Sequence, residues 1–109
     1  VPAIGANRTI TLPAPVAGQT YKLIYAGAAE ETENLIVVTP GNSNFFLGGI
    51  VHLDSNADNV SVYSNGSSNS SLTLTDFGVF EINVVAKDST NYYIWGYQEG
   101  ADVPAFADQ

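Results

Sequence analysis

The chain has 109 residues, a formal net charge of −8, 45% hydrophobic residues and only 13% charged ones. This length suits one domain, and the absence of Cys excludes disulfides and Cys-based zinc or redox sites. The three cationic side chains, Arg8, Lys22 and Lys87, are too few for nucleic acid or anionic lipid, and no apolar run approaches the ~20 residues of a transmembrane helix.

Val1 to Ala6 mixes small and apolar residues with Pro2 and Gly5, which reads as an arm; no secretory signal is visible in it. From Arg8 to Leu12 polar and apolar residues alternate, so a strand is expected with Ile10 and Leu12 inward, ended by Pro13 and Pro15. A second strand runs from Thr20 to Ala26, with Tyr21, Leu23 and Tyr25 on one face. Gly27 to Asn34 carries Glu30, Glu31 and Glu33 and reads as an acidic loop. Leu35-Ile36-Val37-Val38 is a continuous apolar run, which predicts a strand covered on both faces.

Pro40 to Asn44 signals a turn. The Gly48-Gly49 pair between Phe45-Phe46-Leu47 and Ile50-Val51-His52-Leu53 marks a bulge or a close backbone approach. Val60 and Val62 face inward against Ser61 and Tyr63, and Ser64 to Ser71 is an Asn/Gly/Ser loop. Leu72 and Leu74 form the next strand, and Asp76-Phe77-Gly78 a corner. Val79 to Lys87 alternates clearly, with Phe80, Ile82, Val84 and Ala86 inward. Asp88 to Asn91 turns the chain into Tyr92 to Tyr97, and Gln98 to Gln109 is left as a tail. About eight short strands without a convincing helix predict an all-β, antiparallel β-sandwich of jelly-roll type. One domain spans 1–109, with arms at 1–6 and 98–109.

Few residues offer chemistry. His52 is the only plausible general base, and within its strand it reads as a surface or hydrogen-bonded structural His. Asp54, Asp58 and Asp76 sit at turns, where Asp is ordinary, and no pairing with Glu81 follows. Asp54-Ser55-Asn56-Ala57-Asp58 opens like a calcium loop, but Asn59 and Asn65 stand where Gly and Glu are needed. Four Asn-x-Ser/Thr matches, at Asn7, Asn59, Asn65 and Asn69, are expected by chance in a chain so rich in these residues. The expectation is a protein with no catalysis, no cofactor and no metal.

Two features point to contacts instead. Alternation places Tyr93, Trp95 and Tyr97 on one face, opposite Tyr92 and Ile94. Such a row either stacks on sugar rings or is covered by a second sheet or a neighbouring subunit, and covering is the favoured reading. Val1, Pro2 and Ile4, with Val103, Pro104 and Phe106, form apolar arm segments suited to subunit or capsid contacts.

Asn7-Arg8-Thr9-Ile10-Thr11-Leu12-Pro13, followed by Gly18 and Tyr21, resembles the opening of small β domains in tailed-phage structural proteins. Gly48-Gly49 and the closing Tyr93-Ile94-Trp95-Gly96-Tyr97 are similar to the same group. The resemblance spans Asn7 to Tyr97. It implies a homotrimeric head-decoration (cement) protein on the outer capsid surface of a virion, clamping the major capsid protein. The alternative it leaves open is a receptor- or carbohydrate-binding module of a fibre or spike, with a glycan as partner.

Overall fold

The computed structural model describes residues 1–27, 29–54 and 59–109. Alternating apolar residues build nine strands among them: β1 (Arg8–Thr11), β2 (Thr20–Ile24), β3 (Leu35–Val38), β4 (Phe46–Leu53), β5 (Val60–Tyr63), β6 (Ser71–Leu74), β7 (Phe77–Ala86), β8 (Tyr92–Gly100) and β9 (Ala105–Ala107). They form a four-stranded sheet in the order β1-β3-β6-β9 and a five-stranded sheet in the order β2-β7-β8-β4-β5. The two sheets make the sandwich expected from the sequence.

The sheets are mixed and not wholly antiparallel: β1 pairs with β3, and β4 with β8, in parallel. The first of these pairs has a simple cause. The chain crosses to the other sheet for β2 and returns to the first for β3, pointing the same way as β1. Alternation fixes which side chains face inward but carries no sign of the partner's direction.

The core lies between the sheets. On the four-stranded side, Ile10, Val37, Leu72 and Phe106 form one cross-strand row. On the five-stranded side, Phe80, Ile82, Val84 and Ala86 are buried along β7. Phe77 and Phe80 pack edge to face at 5.2 Å, and Tyr25 meets the Phe77 edge at 5.0 Å. Such geometry suits the ring quadrupoles. Gly48 has φ +110°, and a Cβ at Gly49 would collide with the Val62 carbonyl oxygen, so both positions need glycine.

Turns follow local chemistry. The Leu12 N–H makes a rung to Val38 O at 2.8 Å before Pro13 stops the ladder. Asp88 Oδ1 accepts from the Thr90 and Asn91 N–H groups at 2.8 and 2.9 Å. These bonds hold its carboxyl below the usual range, so their contribution exists above the ordinary Asp pKa and is lost on acidification. The corner after β6 is Thr75-Asp76, with Asp76 at φ +44°; Phe77 and Gly78 already belong to β7.

The C-terminal segment is not a free arm. Gln98 to Gly100 completes β8, and after an exposed bend Pro104 is buried and β9 pairs with β6. Phe106 packs on Phe46 with ring centroids 6.1 Å apart. Gln109 Nε2 donates to Thr39 O at 2.8 Å and Thr39 Oγ1 at 3.0 Å. The N-terminal arm is likewise held. The Val1 amino group donates to Ile24 O, and Val1 O accepts from the Ala26 N–H, both at 2.6 Å. Val1 and Ile4 pack against the core, while Pro2 and Val103 stay exposed. Of the six residues expected to reach a partner, four are therefore engaged by the chain's own core: apolar burial and spare backbone donors favour closure over a free arm. Phe106→Ala should cost about 2–3 kcal/mol in urea unfolding, whereas Val103→Ala should stay within about 0.5 kcal/mol.

Candidate binding faces

The sandwich leaves two outer faces, and alternation decides what stands on each. On the five-stranded sheet, Ile94 and Tyr92 are buried, so Tyr93, Trp95 and Tyr97 point outward, as the sequence indicates. Tyr93 is 45% exposed and Trp95 50%; no second sheet of this chain covers them. The structure adds residues that the sequence did not connect to this row. Tyr97 pairs with Val51 of β4, and Tyr93 with Leu47. Tyr63 of β5 pairs with Gly49 and is 72% exposed. Gly49 follows Gly48, the partner of Ile94. The Tyr63 ring lies over Gly49, its Cδ1 3.0 Å from where a Cβ would stand.

At the β2 side of this face, Lys22 Nζ meets Glu81 Oε1 at 2.9 Å, a surface pair of small energetic weight. Among the described residues, no hydrogen bond or ring contact engages Tyr63, Tyr93, Trp95 or Tyr97 side chains. The other three tyrosines donate their hydroxyls within the fold.

The four-stranded sheet presents a different outer face. One cross-strand row is Thr9, Ile36, Thr73 and Ala105; the next is Thr11, Val38, Ser71 and Ala107. No charged side chain stands in either row. The sequence predicts β3 to be covered on both faces, but here Leu35 and Val37 are buried while Ile36 and Val38 are only half-buried on the open side.

His52 lies inside, not at a surface site. It is fully buried, and its Nε2–H donates to Gly100 O at 2.9 Å. Its strand neighbour Gln98 is also fully buried, with Nε2 donating to Thr75 O and Asp102 O, each at 3.0 Å. Gln98 thus ties the β6–β7 corner to the loop before β9. His52 Nδ1 and Gln98 Oε1 have no partner in the fold. Gln98 is not recognisable from local pattern, because its burial depends on the distant pairing of β4 with β8.

The acidic loop works in the same structural way. Tyr25 donates to Glu31 Oε1 and to Ala29 O, both at 2.7 Å, and the Ile4 N–H reaches the same Glu31 oxygen at 3.1 Å. The bond to Glu31, followed by burial and the carboxylate's charge, pushes the Tyr25 hydroxyl up to about 12. Burial, with a smaller contribution from Tyr21, does the same for Tyr92, whose hydroxyl donates to Pro13 O. Asp76 is raised by its hydrogen bond to Asp102, then by burial and by the charges of Asp102, Glu30 and Glu33. The shared proton's contribution is full in acid and is lost as pH rises through the raised value.

No group of three or more His, Cys, Asp or Glu side chains able to hold a metal ion, and no cavity, occurs among the described residues. The calcium-like stretch from Asp54 to Asp58 lies largely outside them. No family model, curated protein or solved structure matches the chain.

Alkaline spectrophotometric titration tests the tyrosine assignments. Two of the six tyrosines should ionise late, at about 12, and Tyr25→Phe and Tyr92→Phe should each remove one late step. The sign is that of a raised pKa: the contribution of these hydroxyl bonds is intact below the ordinary tyrosine value of about 10 and is lost through about 12.

Proposed function

We propose that this domain is a non-catalytic structural module of a tailed-phage virion, a homotrimer that decorates and stabilises the outer capsid surface. The observation that carries the reading is the uncharged outer face of the four-stranded sheet, where Thr9, Thr11, Ile36, Val38 and Thr73 lie level across neighbouring strands. A flat face of β-branched and small side chains loses little hydration when covered, and it buries few groups that need a partner.

The sequence resemblance supplies the setting, and charge supplies a second argument. At −8 the exterior keeps copies apart in solution, so association has to occur where charge is missing. Copies meeting around a three-fold axis would cover apolar surface that a small domain leaves wet. Docking only on the assembled shell, against the major capsid protein, would then stabilise that shell by mass action.

In this reading the arms do not lace onto neighbours, because their apolar residues already serve the domain's own core. The contact is made by the sheet face. Native mass spectrometry should find a species of three times the 11.5 kDa chain mass. Val38→Glu, which puts a charge on that face, should yield folded monomer. A wild-type chain that stays monomeric at high micromolar concentration would contradict the assembly.

A further inference from the structure

We infer that the outer face of the five-stranded sheet is a binding track for a neutral, linear polysaccharide, read by Tyr93, Trp95, Tyr97 and Tyr63. This goes beyond the assembly proposed above and does not depend on it, since it uses the opposite side of the sandwich.

Three observations carry it. Tyr93, Trp95 and Tyr97 occupy successive outward positions on one strand, spaced about 6.7 Å apart, which is on the scale of one sugar residue. They form a line and not a pocket, and no cavity opens among the described residues. A straight row of ring faces suits an extended chain whose units each present an apolar C–H face.

The second observation is chemical. All four rings carry a polar hydrogen, three phenol O–H groups and one indole N–H, and none is engaged by the described residues. Covering these groups with an apolar surface would strand four donors. A polyhydroxyl ligand offers an acceptor to each while its C–H faces lie on the rings.

The third is charge. Of the two cations that alternation puts on this face, Lys22 is paired with Glu81, the strand neighbour of Tyr97, and Lys87 stands past the end of β7 beside Asp88. Uronic-acid or sulfated chains would meet the carboxylates of Glu81 and, two residues beyond Tyr97 on the same face, Glu99, in a protein already at −8. The ligand class is therefore neutral. Gly49 adds shape: the Tyr63 ring lies over this position without a side chain, on the β5 side of the row.

Trp95 is the only tryptophan, so intrinsic fluorescence reports on the track directly. The test is titration of the intact protein with cellohexaose, mannohexaose and chitohexaose, with a hexamer of galacturonic acid as the acidic probe. At least one neutral hexamer should shift the Trp95 emission saturably, and the acidic one should not. Tyr93→Ala should weaken that affinity about ten-fold or more. Trp95→Ala, followed by calorimetry, should do the same, with the unfolding midpoint and the native mass unchanged. No response to any neutral hexamer at millimolar concentration would overturn the inference, as would equal binding of the acidic probe. So would a Trp95→Ala protein that falls from oligomer to monomer, because the face would then be an interface between copies. Loss of the oligomer in Val38→Glu with glycan binding retained would leave the inference standing and separates the two proposals.

Discussion

Everything in this domain depends on the single apolar layer between its two sheets. Phe46, Phe77, Phe80 and Tyr92 are fully buried there, together with Leu72, Leu74, Ile82 and Ile94. Because a strand's side chains alternate, each strand gives half its residues to that layer and the other half to an outer face. The two outer faces are thus free of the folding problem. Their composition differs, small and uncharged on one and aromatic on the other.

Polar groups inside the sandwich act as ties. Gln98 joins two loops through carbonyl oxygens of Thr75 and Asp102. Glu31 joins the N-terminal segment to Tyr25. Gln109 fastens the segment after β9 to Thr39 and Ser70. A buried polar group is tolerable when its partners are fixed, and here those partners are mostly backbone carbonyls at the ends of strands. The result is a scaffold whose loops are held from within while both outer sheet faces stay open.

Much of this was legible in the sequence. The alternation of β7 identified Phe80, Ile82 and Val84 as inward, and that of β8 put Tyr93, Trp95 and Tyr97 together on the face opposite Tyr92 and Ile94; the burial of Ile94 makes that row the outward one. What was not legible depends on pairing between distant segments. Tyr63 joins the aromatic face only because β5 lies beside β4 and β4 beside β8, and a local period of two carries no information on that order. The same gap hid Gln98, and it made Gln98 to Gln109 read as a tail: the three residues of β9 are too short to show alternation. For Ile36 and Val38 the apolar run implied a cover on both sides, and the fold provides only one.

The most direct measurement is quantitative mass spectrometry of purified virions from the source of this chain, comparing its copy number with that of the major shell protein. The account predicts comparable abundance of the two, as expected for a module that decorates a repeating surface through a sheet face. A handful of copies per particle, or none, would contradict it.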